Sequence, residues 1–346
     1  MDSPSLNNLT QLLISHPLYA DAVARVDDTV RRTLAGEQQI LPLCGPSRVG
    51  KTFATLPAQS RLPESREGTK HSMPWMYIKM SQAPSLSSLP REILKTAGMG
   101  AWASRRGGPE VLAQSARDAI KRLGVRILVI DEFHHYGEAG AKASALDAAN
   151  AMKNFVDQTG VSCILPGLPS TMALLSRDEQ LQARAQAEHH FLPYMWAIER
   201  HRAEFEEALA SIVGYMEQAG FVFKMPADFA LQVYVSTAGR IGMVVKLLNE
   251  ACDLAREDRQ IGPAVMRSAH GRAIRHETRS VNPFAAKVSD ADAVAAYVKL
   301  MHDSGYSRAF MAQMIRLEGG EDAVADRILS SSRKDAAKQL QEQFAC

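Results

Sequence analysis

The run Gly45-Pro46-Ser47-Arg48-Val49-Gly50-Lys51-Thr52 satisfies the pattern G-x-x-x-x-G-K-[ST]. Each fixed position has a physical reason. Glycines let the backbone wrap an anion, so that several N–H groups and the positive end of the following helix face it. The lysine reaches the terminal phosphates of a nucleoside triphosphate, and the Ser/Thr hydroxyl is suited to Mg2+. Lys51 and Thr52 stand in those places, and Phe53 directly follows, completing the candidate nucleotide-binding set. A second cluster, Ile127-Leu128-Val129-Ile130-Asp131-Glu132, sets two carboxylates at the end of an aliphatic run. Asp131 is expected to meet Mg2+ directly or through water, and Glu132 to orient and polarise an attacking water. The chemistry implied is hydrolysis of ATP, with ATP and Mg2+ as the bound groups. His134 and His135 follow at once. Because adjacent side chains rarely converge on one ion, they are expected to face solvent or cap a helix, with γ-phosphate sensing as the alternative for His134.

Such a site needs a parallel sheet, since open α/β sheets bind ligands at the carboxyl ends of their strands. Periodicity supplies one. Strands are predicted over 38–44, 75–80, 126–130 and 161–165, with a weaker fifth over 190–194. The 126–130 run is almost wholly aliphatic, as in a strand covered on both faces. Pro42 cannot donate to a ladder, so it must lie near a strand end or face an irregular neighbour. Two short helices are predicted within 9–34, and others over 86–96, 109–123, 143–158 and from 197, while a helix should start at once from Gly50. Residues 61–71 read as a loop and 104–108 as a flexible basic turn. From 226 onward the pattern is helical, with Ile241, Val244, Val245, Leu248 and Cys252 on one face and a break at Asn282-Pro283. Residues 289–346 read as short helices punctuated by Gly305, Gly319 and Gly320.

Composition limits the alternatives. The 346 residues carry a net charge of +2, with 46% hydrophobic and 23% charged residues, an ordinary globular balance. Nucleic-acid binding would therefore have to come from a local basic face. Cys44, Cys163, Cys252 and Cys346 form no C-x-x-C pair, which argues against a zinc knuckle or a disulfide framework. No apolar run approaches the roughly 20 residues of a membrane span, and no signal-like segment opens the chain, so a cytoplasmic location without membrane contact is expected.

The ordered set of the Gly45–Thr52 loop, Asp131-Glu132-Phe133-His134, Leu165-Pro166-Gly167, Gln180-Leu181-Gln182-Ala183-Arg184, Gly239-Arg240-Ile241-Gly242 and Asn282-Pro283-Phe284 resembles the TnsC/TniB transposition AAA+ ATPases. The resemblance covers roughly 9–284. It implies an α/β AAA+ P-loop fold with a central parallel sheet flanked by helices, a helical lid, and a helical C-terminal extension. The division expected is 1–36 N-terminal helical segment, 37–222 nucleotide-binding subdomain, 223–284 lid, and 285–346 helical extension; this extension lies outside the resemblance and reads either as a tail packed on the core or as a partner-docking segment. The resemblance implies an ATP-dependent homo-oligomer, a ring or helical filament on double-stranded DNA, that recruits a transposase and a target-selector protein; with Met243 in the lid instead of an arginine, slow, assembly-linked hydrolysis is expected.

Arg184 matches the family's Gln-Leu-x-x-Arg arginine, which a neighbouring protomer would supply to the γ-phosphate; Arg177 is its rival. Arg240 is placed to reach the nucleotide from the lid. Two positions depart from the family's pattern. Leu168 stands where a polar sensor is usual, leaving Ser170 or Thr171 as substitutes, and Met243 stands where many lids carry an arginine. DNA contacts are expected from Lys95, Arg105 and Arg106, between the second and third strands, and from Arg272, Arg275 and Arg279 on the last lid helix. The competing readings are a replication initiator or helicase loader of similar core, and a nucleotide-binding signalling or scaffold protein.

Overall fold

The computed structural model describes residues 15–104, 108–138, 144–274 and 281–330. In chain order its elements begin with α1 (Pro17–Leu34), β1 (Ile40–Cys44), α2 (Leu56–Arg61), β2 (Ser65–Glu67), β3 (Lys70–Ser72) and β4 (Trp75–Lys79). There follow α3 (Ser88–Thr96), α4 (Gly100–Ala103), α5 (Pro109–Leu123), β5 (Ile127–Asp131), α6 (Ala145–Thr159), β6 (Ser162–Gly167), α7 (Ser170–Leu175), α8 (Glu179–Arg184) and β7 (His189–His190). The rest comprises α9 (Glu199–Gln218), β8 (Val222–Phe223), α10 (Phe229–Thr237), α11 (Ile241–Leu254), β9 (Gln260–Ile261), α12 (Pro263–Ala273), α13 (Asp290–Asp303), α14 (Arg308–Leu317) and α15 (Asp322–Ser330). No helix among the described residues is long and apolar enough to cross a membrane.

The described residues form two compact units, one within Leu18–Phe191 and one within Leu192–Cys346 that also takes in residues 15–17. In the first, five parallel strands lie in the order β4-β5-β6-β1-β7. Successive residues of each strand point to opposite faces, so the sheet has two cores. Met76, Ile78, Leu128, Ile130, Cys163 and Leu165 pack with residues of α3, α5 and α6. Leu41, Leu43, Ile127, Val129 and Ile164 pack with Tyr19, Ala22 and Val26 of α1 and with Ala58 of α2. The all-buried pattern of β5 is the one its aliphatic run required.

Pro42 satisfies its constraint by facing an irregular neighbour. Ile40 and Cys44 offer their carbonyls to Gln186 and Phe191, on the β7 side, but β7 pairs only with Leu43 and Cys44. The proline thus points where no ladder partner is needed.

Several local expectations change. One 18-residue helix, α1, replaces two short ones within its range. The helix expected directly from Gly50 is a turn and a short 3-10 stretch, Phe53–Thr55, before α2, because Pro57 has no N–H to continue a ladder. The 61–71 loop contains an antiparallel hairpin, with Ser65 opposite Ser72 and Glu67 opposite Lys70. The fifth strand, expected over 190–194, is the two-residue His189–His190 and overlaps that range only at His190, and a two-residue parallel pair, β8 with β9, interrupts the helical second unit.

In the second unit, α9 buries Phe205, Ala208, Leu209, Ile212 and Met216. The Phe205 ring meets Tyr234 of α10 edge-on at 5.2 Å, so this face packs on α10. The boundary expected at 222/223 lies after α9, whereas the compact units part at Phe191/Leu192. The terminal helices share a core of their own: Tyr297, Met301, Met311, Ile315 and Ile328 pack with Leu192, Met195 and Ile198.

Candidate functional site

The phosphate-type loop begins where β1 ends. Gly45 donates its N–H to Gly167 of β6 at 3.0 Å, and Phe191 donates to Cys44 at 2.8 Å, which fixes both sides of the loop's first residue. A Cβ on Gly45 would lie 2.2 Å from the Phe191 carbonyl oxygen, so only glycine fits. Arg48 and Gly50 turn through positive φ, 67° and 113°, the kind of backbone turn from which anion-binding concavities are made. Val49 is buried and anchors the turn, while Ser47 and Arg48 are exposed. Lys51 Nζ donates to the carbonyls of Gly45 and Pro46 at 2.7 and 2.8 Å, curling over the loop. Burial lowers its ammonium to about 8, with the Glu132 and Asp131 carboxylates pulling the other way.

The two acids leave β5 differently. Asp131 Oδ2 accepts from the Thr52 hydroxyl at 2.8 Å and from the Tyr77 hydroxyl at 2.7 Å, while its Oδ1 accepts the Glu132 amide at 2.9 Å. Glu132 then takes a left-handed backbone, φ 58°, a strained state for a side chain with a Cβ. That kink sends the chain into a 3-10 turn, Phe133–Gly137, anchored by buried Phe133, His134 and Tyr136. The set fits Mg2+ in kind. Thr52 and Asp131 offer hard oxygen donors already side by side, with a lysine close enough for its charge to be felt by both acids. Glu132, in contrast, has no part in that contact, and its carboxylate lies beside His134, 3.4 Å from Nδ1.

Residues 9–194 match the family described as bacterial TniB protein. The chain belongs to the TniB family. No curated protein sequence matches it. Among solved structures it is similar to Cdc6p from Pyrobaculum aerophilum, with TM-score 0.56, 11% identity, and coverage of 97% of this chain and 99% of that one. It is likewise similar to the Aeropyrum pernix ORC1 protein, solved in complex with DNA, with TM-score 0.55, 14% identity, and coverage of 98% and 82%. The Aeropyrum pernix ORC2 protein, in ADPNP–ADP complexes, gives 0.52 at 13%, covering 93% and 84%. At such identities the likeness speaks for the fold, which is that of an AAA+ ATPase. The TniB match ends close to Phe191, where the first compact unit ends.

The remaining candidates of this TniB-family chain lie outside that cluster. Arg184, at the end of α8, is ion-paired with Asp157 of α6, and both are about one-third exposed. Its rival Arg177 is exposed. Arg240 caps α11 and donates its Nε–H to the Thr237 carbonyl at 2.9 Å, and burial pulls its ionisation below the usual arginine range. Lys95 is paired with Glu92 one turn away at 2.6 Å, and Arg272 lies 3.5 Å from Glu250. Arg105, Arg106, Arg275 and Arg279 lie outside the described residues, and α12 ends at Ala273. Of the two substitutes for a sensor, Ser170 opens α7, whereas Thr171 is fully buried against Gly167.

The histidines correct an expectation. His134 is 3% exposed rather than solvent-facing, and its ring centroid lies 4.5 Å from that of His135. Donor atoms of Glu132, His134 and His135 fall within 4.8 Å of one another, so these side chains converge. The sequence reading also missed Tyr77 and Glu138. Tyr77 sits two residues before the end of β4, opposite Val129, and so shares a sheet face with the approach to Asp131. Burial, then the hydrogen bond to Asp131, pushes its phenol above the usual range.

Proposed function

We propose that this TniB-family protein binds ATP with Mg2+ and uses the nucleotide state to govern its own assembly on double-stranded DNA, where it recruits or activates a transposase and a target-selector protein. The observation that carries this reading is the 2.8 Å contact between the Thr52 hydroxyl and Asp131. It joins the Gly45–Thr52 loop to the end of β5, the pairing that triphosphate chemistry requires. Bound Mg2+ would supply charge neutralisation across the phosphate oxygens.

The backbone of Gly45–Gly50 and the Lys51 ammonium bind the anion, Thr52 and Asp131 hold the metal, and Phe53 borders the nucleotide. Tyr77 restrains Asp131. Glu132 accepts a proton from the attacking water, slowly, in the assembled state. Arg184, once released from Asp157, serves the site of the next protomer, and Arg240 reads the nucleotide from the lid of residues 223–284. Lys95, Arg105, Arg106, Arg272, Arg275 and Arg279 meet DNA phosphates without reading sequence. The segment 285–346 docks the protein partners.

Sedimentation of purified protein with duplex DNA tests this reading. Large DNA-dependent oligomers should form with ATP, persist longer in Glu132→Gln, fail in Lys51→Ala, and fade as salt rises. Nucleotide uptake with no effect of DNA would favour the signalling or scaffold alternative. Capture of a replicative helicase, with no response to a transposase, would favour the initiator or loader.

A further inference from the structure

The chain leaving β6 has leucine, not a polar side chain, at position 168, yet this exit is linked to Glu132 by another residue. His134 Nδ1 accepts the Leu168 N–H at 3.4 Å and lies 3.4 Å from Glu132 Oε2. Its Nε2 lies 3.3 Å from Glu138 Oε1. A Cβ on Gly167 would sit 3.3 Å from the same Nδ1 and 2.5 Å from Thr171 Oγ1, so the ring is wedged between the exits of β5 and β6.

Burial is the largest reason that the imidazole charges only near pH 4, so the ring is neutral and carries one hydrogen for two nitrogens. With Nδ1 accepting from Leu168, that hydrogen sits on Nε2, toward Glu138, and Nδ1, 3.4 Å from Glu132 Oε2, has no hydrogen to offer that carboxylate. Like partial charges then press Glu132 away from the ring. Were the Leu168 amide to withdraw, the other tautomer would become available, and Nδ1–H would donate to Glu132 and hold it. One nitrogen therefore serves either the β6 exit or the carboxylate.

We propose that His134 is a positioning residue for Glu132, its choice of partner at Nδ1 making the aim of that carboxylate follow the placement of Gly167–Leu168. The role replaces a polar side chain at 168 with a backbone amide read through an imidazole. It rests on the reading of Glu132 as the hydrolytic carboxylate.

The test compares His134→Ala, His134→Asn and His134→Gln in the full-length protein, with Glu132→Gln as reference, by ATP turnover on DNA. The Asn amide falls where Nδ1 stands, and the Gln amide falls nearer Nε2. His134→Asn should keep kcat within about threefold of wild type, while His134→Gln and His134→Ala lose about 10- to 100-fold in kcat with little change in KM. In a Glu132→Gln background, removing His134 should cost nothing more. Equal kcat for the Asn and Gln variants, or better retention by Gln, overturns the proposal, and so does a wild-type kcat in His134→Ala. If the Ala variant does not fold, the Asn–Gln comparison alone decides. Wild-type turnover in Glu132→Gln would instead overturn the role given to Glu132 itself.

Discussion

Gly45→Ala is the sharpest way to ask whether the loop geometry governs nucleotide binding. The added methyl would lie 2.2 Å from the Phe191 carbonyl oxygen and 3.3 Å from Val49 Cγ2. Carbon–oxygen contacts settle at about 3.3–3.6 Å, so loop and β7 must part by about 1 Å. The obstacle is backbone on both sides, since Gly45 N is bonded to Gly167 and Phe191 N to Cys44. Overpacking of this kind costs about 1–3 kcal/mol of stability. A phosphate-binding loop displaced by about 1 Å should also lose about 100-fold in Mg-ATP affinity, by analogy with the cost of misplacing reacting groups. Calorimetric titration in a Glu132→Gln background keeps the nucleotide intact during the measurement. Gly100→Ala is the control, because nothing lies within 4 Å of a Cβ there. If Gly45→Ala bound Mg-ATP as tightly as its parent, with an unchanged unfolding midpoint, the close approach would not be rigid and the argument would fail.

Gly167→Ala should destabilise the first unit by about 1–3 kcal/mol, because its methyl meets the buried Thr171 hydroxyl at 2.5 Å. Adding Thr171→Ala should return much of the loss in a denaturant titration, and strict additivity would show that the two sites do not touch. Acid should weaken the fold through His16, which hydrogen-bonds Tyr194 at 2.8 Å and is held near pKa 4 by burial. The unfolded histidine, near 6.5, takes the proton first, so the contribution is whole above that pH and declines toward pH 4 by up to about 1.4 kcal/mol per unit. Unfolding midpoints that do not fall between pH 6.5 and 5, or that fall equally in His16→Gln, would contradict this. Arg184→Ala should change stability by less than about 1 kcal/mol, since its pair with Asp157 is partly exposed. Its DNA-stimulated turnover should fall by about 1,000-fold, and unchanged turnover would remove Arg184 from the site.

What the sequence revealed was what is local. The Gly45–Thr52 loop and the Asp131-Glu132 pair follow from contiguous patterns, as do the strands β1, β5 and β6, and the aliphatic run of β5 announces burial on both faces. Even Pro42 was a usable constraint, because a missing donor must face somewhere that needs none. The β2–β3 hairpin stayed hidden because its strands are three residues long and polar, and a charged Ser-Arg-Glu segment carries no alternation to read. Pro57, in the first turn of α2, marks where that helix starts, although the glycine-rich loop before it reads as leading straight into a helix. The burial of His134 could not be read locally, since the atoms that cover it include Gly167 and Leu168, more than thirty residues on. Tyr77 was missed for the same reason, as its hydroxyl finds Asp131 only across the β4–β5 register.

The proposed function requires Lys51, Thr52 and Asp131 together to hold a magnesium-bound triphosphate. Isothermal titration of the folded protein with ATP and Mg2+ tests it most directly, set beside Lys51→Ala. Saturable uptake by the wild type, abolished in the variant while its unfolding midpoint is retained, is the predicted result. Equal uptake by both proteins, or none by the wild type, would contradict the account.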